Sequence, residues 1–276
     1  MAGPADLQAQ QTGANAAEPG YTKRRSGRRL VLGMILWIVG AAILVAVGFV
    51  AHTHPKPWAF ELDFTKILQW PHTFPCLYNA RTRTWIDAGA DLINSFNDPI
   101  PSVAIPILGM IILMLFRRFR QAILLGIAVL SATGVWFAIE MYVGRPRAIP
   151  SEGICVHRVI AAYSFPSGHV VHDVVLFGFL LYVSFSEPVR SWRYRWVLLP
   201  LQLLVLLYML SVGFARLEAG EHLLIDVLGG YLVALLWLFF FIFLDRRIAG
   251  LQAKHRQKKI AQLPFVPFDY HNGEMV

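Results

Sequence analysis

Two short groups of polar residues lie in a largely apolar chain, and together they could carry out nucleophilic catalysis on an anion. The first group contains Arg216, His222 and Asp226, separated by five and three residues. If His222 and Asp226 belong to one helix, their spacing places them on one face. The carboxylate can then accept the proton of one imidazole nitrogen, which leaves the other nitrogen free to attack. A buried ion pair that stabilises a helix bundle is the alternative interpretation.

The second group, Pro166-Ser167-Gly168-His169, has the chemistry of an anion site. It predicts the start of a helix, where free backbone N–H groups attract anions. Gly168 would let the backbone approach a phosphate, Ser167 would add a hydroxyl donor, and His169 would protonate a leaving oxygen as a general acid. A simple helix cap would also explain Ser167. Arg216 of the first group can bind phosphate oxygens with its planar guanidinium.

The composition indicates which elements hold these residues. The 276 residues are 56% hydrophobic and 15% charged, whereas soluble domains carry about 25% charged residues. Several apolar runs reach the roughly 20 residues that cross a bilayer, so the chain is predicted to be an integral membrane protein. The net charge of +8 does not indicate nucleic-acid binding, because lysines and arginines gather beside the apolar runs.

We predict an all-α bundle of six transmembrane helices in one domain, residues 30–246. Residues 1–29 are predicted to be a disordered basic N-terminus, and residues 247–276 a basic tail. The extracytoplasmic segment 52–99 contains an amphipathic helix from Trp85 to Phe96, which lies on the membrane surface or packs as a loop helix. The predicted spans are 30–51, 100–116, 121–143, 168–186, 196–214 and 222–244.

Basic residues predict the orientation of these spans. They cluster at the N-terminus, between the second and third spans, between the fourth and fifth, and in the tail. With six spans, these four segments lie on one side, which the positive-inside rule makes cytoplasmic. Both termini are then cytoplasmic, and both histidine groups face the extracytoplasmic side. The compact loops are taken to indicate a bacterial inner membrane.

Arg145 and Arg147 form a third group at the end of the third predicted span. Arginines just outside a membrane often touch lipid headgroups, which is one explanation of the pair. Because both histidine groups are predicted on the same side, a phosphate clamp is the favoured interpretation. His172, one turn beyond His169, is predicted either to line the same cavity or to make a polar contact between helices.

These groups resemble the signature of the type 2 phosphatidic acid phosphatase superfamily of membrane lipid phosphatases. Of its parts, Pro-Ser-Gly-His is intact, and Ser-Arg-x5-His-x3-Asp is intact except for Ala215 in place of serine. The resemblance implies that His222 forms a phosphohistidine, that Asp226 orients it, and that His169 is the acid. It implies neither a metal nor a cofactor, and it assigns the phosphate contacts to Arg147, Ser167, Gly168 and Arg216.

The remaining part of the signature, Lys-x6-Arg-Pro, is not intact. Alignment on Arg147 puts Glu140 at the lysine position, and alignment on Arg145 puts Ala138 there. A carboxylate beside a phosphate costs about 4 kcal/mol per charge pair at about 4 Å and an effective dielectric of about 20. Glu140 is therefore predicted to point away from the phosphate, or the site handles its substrate differently. Arg145 is a candidate for the missing cation.

We therefore expect a membrane phosphatase that acts on a lipid phosphate or isoprenyl diphosphate whose tail enters between helices. A lipid or sugar hydroxyl in place of water would make the same site a phosphotransferase. A non-catalytic lipid-binding protein is the contrasting class, and Glu140 is the main argument for it. The expected partners are the lipid substrate and the bilayer. The sequence selects neither the lipid nor an oligomeric state.

Cys76 and Cys155 both fall in predicted extracytoplasmic segments, where structural disulfides persist. A bond between them would tie the outer segment to the loop that carries Arg147. By chain-entropy estimates, a loop of this length contributes roughly 4 kcal/mol of stability. Two unpaired thiols are the alternative.

Overall fold

The computed structural model describes residues 19–69 and 85–262, and these ranges are predominantly helical. The all-α prediction is confirmed for them. The α-helices are α1 (Pro19–Thr53), α2 (Ala59–Gln69), α3 (Trp85–Ser95), α4 (Pro101–Leu115), α5 (Phe119–Val143), α6 (Gly168–Ser184), α7 (Leu199–Glu218) and α8 (Leu224–Ala261). Short 3-10 helices span Pro150–Glu152, Val189–Ser191 and Arg195–Leu198.

The chain divides into two compact units, Met1–Ile43 and Leu44–Val276. In the first unit, the described residues belong to α1, and most large apolar side chains of this part of α1 beyond Leu30 are exposed. Residues 19–29 are helical, in contrast with the predicted disorder, because lysine and arginine are good helix formers. Residues 1–18 lie outside the described residues, and their predicted disorder stays a prediction.

Within the described ranges, four helical segments are long and apolar enough to cross a membrane. They are Leu30–Thr53, Phe119–Val143, Arg195–Glu218 and Leu224–Ala261. Helices α4 and α6 are also apolar, but they have only 15 and 17 residues. The chain is therefore a multi-pass membrane protein, as predicted, while the count of six spans stays a prediction.

Helix α6 packs against α5, α7 and α8, and its buried face includes Phe179. A Cβ atom on Gly178 would come within 2.6 Å of the Leu238 side chain. A small residue at this position lets α6 and α8 approach closely, which is common between membrane helices. The two helix starts are also joined directly, because the Ser167 N–H donates to the Asp226 carbonyl oxygen at 2.9 Å.

The turn between α7 and α8 depends on a glycine. Helix α7 continues to Glu218, so Arg216 lies in its last turn rather than beyond the predicted span. Gly220 follows with φ of +64°, a region that glycine adopts without steric cost. A Cβ atom there would also lie 1.9 Å from the carbonyl oxygen of Cys155. The turn is therefore tight, and it ends at the residues that precede α8.

Helix α8 is longer than the predicted sixth span. It begins at Leu224 and continues to Ala261, so residues 247–261 of the predicted tail are helical. This segment is rich in Ala, Gln, Lys and Arg, which favour helix over coil even without an apolar face. Residues 263–276 lie outside the described residues.

The segment between the first two predicted spans contains α2 and α3. Helix α3 confirms the predicted helix at Trp85–Phe96, within one residue at its end. It packs against α7 and buries Asp87 and Ala90, while Trp85 is exposed. The existence of the helix is thus confirmed, and its position on the membrane surface stays a prediction.

Candidate active site

A cavity of about 1470 Å³ lies among α4, α5, α6 and the loops that precede α6 and α8. Its charged and imidazole lining consists of Glu140, Arg147, Arg158, His169, His172, Glu221 and His222. Its apolar lining from α4 and α5 includes Ile107, Met110, Val129, Leu130 and Phe137. Leu130 and Glu140 are about 15 Å apart along α5, so the apolar lining extends well away from the charged groups. The cavity fits a molecule with an anionic head and a hydrocarbon chain.

His222 is held so that one ring nitrogen is free for chemistry. Its Nδ1 lies 2.8 Å from the Ser164 carbonyl oxygen, which can only accept, so Nδ1 carries the proton. Its Nε2 lies 3.3 Å from Nη1 of Arg147, which can only donate, so Nε2 carries the lone pair. Burial lowers the pKa of His222 well below 6.5, and the charges of Arg147 and Arg216 lower it further. The imidazole is therefore neutral.

Asp226 does not orient His222 by the predicted direct bond. Helix α8 begins at Leu224, so His222 precedes the helix and the two side chains do not share a helical face. Asp226 Oδ2 lies 4.0 Å from His222 Nδ1, beyond hydrogen-bond distance, and instead accepts the Leu223 N–H at 3.0 Å. Its Oδ1 accepts from the Ser164 hydroxyl at 3.3 Å. Ser164 thus contacts both residues.

Arg145 lies in a buried charge cluster rather than at the cavity, in contrast with its predicted phosphate contact. We call Glu61, Arg145 and Asp226 the Arg145 cluster; all three are 0% exposed. Nη1 of Arg145 donates to Asp226 Oδ1 at 2.7 Å, and both terminal nitrogens donate to Glu61. Burial alone would lower the pKa of Arg145, but the Asp226 and Glu61 carboxylates outweigh it and raise that pKa.

Glu61 connects α2 to this cluster. Its Oε1 accepts the Ile225 N–H at 3.1 Å, and its Oε2 accepts the Trp58 N–H at 3.1 Å. The Arg145 guanidinium carbon lies over the Trp58 ring, 4.9 Å from the ring centroid, in the geometry of a cation–π contact. Helix α2 is therefore fixed to the start of α8 through buried charge.

Arg147 is the arginine that lines the cavity beside His222. Its Nη1 donates to the Glu221 carbonyl oxygen at 2.7 Å. Its Nε is buried and has no hydrogen-bond partner among the described residues. Burial lowers its pKa, while the Glu221 and Glu140 carboxylates act in the opposite direction. A guanidinium with an unused donor at the cavity wall is suited to bind an anion.

Arg216 is buried and is not part of the cavity lining. Its Nη2 pairs with the Glu221 carboxylate, and its Nη1 donates to Asn94 Oδ1 of α3 at 3.0 Å. Its Nε has no hydrogen-bond partner in the described part of the chain. Glu221 pairs with Arg216 and also lines the cavity. The phosphate contact predicted for Arg216 stays a prediction.

The Pro166–His169 segment begins a helix, as predicted. Ser167 precedes α6, but its side chain makes no capping hydrogen bond, and within the described ranges its buried hydroxyl has no partner. Ser167 is therefore the N-cap residue of α6 by position, while its hydroxyl does not cap the helix. A Cβ atom on Gly168 would lie 2.7 Å from the Trp136 ring, whose Nε1 donates to the Pro166 carbonyl oxygen at 3.0 Å. Glycine is required here by the packed tryptophan, and both Gly168 and His169 line the cavity.

Comparison with known proteins identifies the family that these features resemble. Residues 121–248 match the PAP2 superfamily. A crystal structure of a transmembrane PAP2 type phosphatidylglycerolphosphate phosphatase from Bacillus subtilis is similar to this chain, with a TM-score of 0.59 and 14% identity. The similarity covers 77% of this chain and 96% of that chain. No curated protein matched. The predicted resemblance is confirmed, and at this identity the structural similarity concerns the fold.

The PAP2 match extends from α5 into α8 and includes all three residue groups identified from sequence. It also includes His172, which lines the cavity and whose Nδ1 lies 3.1 Å from Asp173 Oδ1. Asp173 in turn accepts hydrogen bonds from Asn97 and Tyr208, each at 2.7 Å. Both interpretations of His172 therefore apply, because it lines the cavity and joins a polar contact between helices.

Glu140, at the PAP2 lysine position, does not point away from the site. It lines the cavity and is 5% exposed. Its carboxylate makes no hydrogen bond or ion pair with another described residue, although Arg147 is near enough to interact with it electrostatically. The prediction that Glu140 points away from the phosphate site is therefore wrong. The alternative, that the site handles its substrate differently, stays a prediction.

The predicted cysteine pair is only half described. Cys155 is buried and is a disulfide cysteine, and its backbone N–H donates to Gln69 Oε1 at 2.9 Å. Cys76 lies outside the described residues, so the pairing of Cys76 with Cys155 stays a prediction. No group of three or more metal-ligating side chains occurs within 19–69 and 85–262.

Sequence reasoning missed Glu61, Ser164 and Glu221. Ser164 and Glu221 are close to the histidine motifs in sequence, so their proximity was a usable signal. Glu61 is 165 positions from Asp226, and its only signal was an acidic residue in the first turn of a helical segment that contains other charged residues as well.

Proposed function

We propose that this protein is a membrane phosphatase that removes a phosphate from a lipid phosphate or an isoprenyl diphosphate. The observation that carries the proposal is one cavity that joins His222, His169 and Arg147 to an apolar lining from α4 and α5. The PAP2 match and the fold of the phosphatidylglycerolphosphate phosphatase support it. The lipid chain would occupy the apolar part and the phosphate the charged part.

In the first displacement, Nε2 of His222 attacks the phosphorus with its lone pair. The bond between phosphorus and the lipid oxygen breaks, and His169, whose protonated form the bound phosphate anion favours, gives its proton to that oxygen. The products are the lipid alcohol and a phosphohistidine on Nε2. Arg147, whose Nη1 is 3.3 Å from Nε2, would bind the phosphoryl oxygens where negative charge develops.

In the second displacement, a water oxygen attacks the phosphorus and gives a proton to the neutral His169. The phosphorus–nitrogen bond breaks, His222 regains its lone pair, and phosphate leaves. Throughout both steps, the Ser164 carbonyl oxygen keeps its hydrogen bond from Nδ1 and holds the ring orientation. With a hydroxyl acceptor in place of water, the same step would be a phosphotransfer.

We infer that the site faces the extracytoplasmic side of a six-span bundle. The six spans would be the four long segments together with α4 and α6, which rise about 23 and 26 Å by helix geometry. The exposed apolar side chains of α4, such as Ile111 and Leu108, support its contact with lipid. The basic segments support cytoplasmic termini.

Phosphate release by the purified full chain in detergent tests this proposal. The substrates are phosphatidic acid, phosphatidylglycerolphosphate and an isoprenyl diphosphate. We expect the wild type to release phosphate from at least one of them and His222→Ala to release none while it melts like the wild type. The exposed His255 of α8 provides the matched control, His255→Ala. Turnover by His222→Ala would exclude His222 as the nucleophile. If the wild type released phosphate from none of the substrates, the proposed function would be refuted.

A further inference from the structure

We propose that Glu140 determines substrate specificity by accepting a hydrogen bond from a donor group that lies next to the phosphate of the substrate. The donor is a hydroxyl or an ammonium group. This inference rests on the proposed function and names the class of lipid phosphate that the site prefers.

The first argument is the unpartnered carboxylate. Glu140 lies in the last turn of α5, is 5% exposed and lines the cavity. Its oxygens receive no hydrogen bond from the described residues, and they are not among the polar atoms enclosed by protein, so they are open to the cavity. The neighbouring cavity residues therefore leave an acceptor that a donor on the ligand can satisfy.

The second argument is the arrangement of charge. Arg147 lies near Glu140, yet no ion pair joins them within 4.0 Å, and Nη1 of Arg147 is directed to Glu221 and His222. A phosphate bound by Arg147 would therefore lie near a second anion, which is unfavourable. A hydroxyl or ammonium group on the carbon next to the phosphate ester would lie between these charges and donate to Glu140.

These two arguments define a substrate class. Lipid phosphates with a hydroxyl or an amine beside the phosphate ester fit the site. A simple alkyl or isoprenyl phosphate lacks such a donor and leaves Glu140 unsatisfied. Sites that hydrogen-bond a substrate donor discriminate strongly against analogues without it, because a buried polar group is then left unpaired.

Three substrates that differ at one carbon test the inference. They are a 1-acylglycerol 3-phosphate with its 2-hydroxyl, its 2-deoxy analogue and its 2-amino analogue. We expect the wild type to prefer at least one donor-bearing substrate over the deoxy analogue by roughly tenfold to hundredfold in kcat/KM. In Glu140→Ala, the kcat/KM values for the three substrates should become similar. Each preference is a ratio measured on one preparation, so it does not depend on the folded fraction.

Glu140→Gln distinguishes the two donors and keeps the shape of the side chain. A preference for the hydroxyl should largely survive, because the amide oxygen still accepts, whereas a preference for the ammonium group should fall to that of Glu140→Ala. The exposed Glu187→Ala is the matched control and should keep the wild-type ratios.

Two results would overturn the inference while leaving the proposed function intact. One is phosphate release by the wild type with equal kcat/KM for all three substrates. The other is an undiminished preference in Glu140→Ala. Absence of phosphate release from every substrate, including those used to test the proposed function, would instead refute the function itself.

Discussion

Arg145 and Arg147 are two positions apart in one loop, yet they belong to different parts of the molecule. Arg145 is fully buried in the Arg145 cluster, while Arg147 lines the cavity with an unused donor. Pro146 between them forms an isolated β-bridge with Tyr163. Such extended backbone directs successive side chains to opposite sides, so residues two apart would ordinarily share a side. Their partners, rather than their spacing, separate the two arginines.

The comparison shows how the protein uses buried charge in two ways. In the Arg145 cluster, one guanidinium and two carboxylates are paired, and backbone N–H groups of Trp58, Leu223 and Ile225 satisfy the remaining carboxylate oxygens. Among the described residues, Nε of both arginines and the buried Ser167 hydroxyl at the start of α6 have no hydrogen-bond partner. The two arginines differ in their terminal nitrogens, because those of Arg145 are paired with carboxylates and Nη1 of Arg147 donates to a backbone carbonyl beside the cavity. The paired guanidinium stabilises the fold, and the guanidinium without a carboxylate partner is available to a ligand.

The largest effect is expected from Arg145→Met, which removes the cation of the Arg145 cluster. Glu61 and Asp226 would be left buried without their shared partner, which costs about 3–5 kcal/mol of unfolding free energy. Thermal denaturation of the detergent-solubilised protein measures this loss. If the variant melts like the wild type and loses only activity, Arg145 serves ligand binding, as proposed for Arg147, and does not stabilise the fold.

Arg147→Ala should have the next largest effect, on activity rather than on stability. Loss of a donor to the developing phosphoryl charge typically lowers turnover by roughly 10²- to 10³-fold. We expect a comparable fall in kcat/KM and a much smaller loss of stability than for Arg145→Met, because the side chain donates to the Glu221 carbonyl oxygen but forms no ion pair within the described residues. The exposed Arg256→Ala is the control. A stability loss as large as that of Arg145→Met would contradict the division between the two arginines.

Ser167→Ala should lower kcat/KM by roughly tenfold, because its hydroxyl is predicted to donate to the phosphate. A hydrogen bond to a charged group is worth about 1.5–3 kcal/mol. Its melting temperature should not fall, since the buried hydroxyl has no partner among the described residues to lose. Steady-state kinetics and thermal denaturation on the same preparation check both parts. Equal losses of stability and activity would show that the hydroxyl belongs to the fold.

Ser164→Ala should have the smallest effect. The hydrogen bond from His222 Nδ1 goes to the backbone carbonyl of Ser164, which alanine retains. Only the hydroxyl contacts with Asp226 at 3.3 Å and Pro146 at 3.2 Å are lost, a change of about 0.5–1.5 kcal/mol. Kinetics should therefore show a fall no larger than about tenfold. A fall in kcat/KM as large as that of Arg147→Ala would indicate that the Ser164 hydroxyl, through Asp226, positions the nucleophile His222.

Much of the fold could be predicted because helices are local structures. Apolar runs located the long helices, and the Pro166–Ser167 dipeptide marked the start of α6 correctly. Helix ends were less predictable, as α7 and α8 both continue past the predicted limits. Their final turns are made of good helix formers, so the end of the apolar run does not end the helix.

The sequence by itself determined the membrane character, the helical fold and the residues of the histidine groups, because these follow from apolar length and short spacings. Only the tertiary structure decided the partners of those residues. It brought Glu61 to Arg145, gave the Ser164 carbonyl rather than Asp226 to His222, and directed Glu140 into the cavity. The physical reason is that a buried polar group must be satisfied by whichever group packing brings within reach, and packing joins residues far apart in the chain.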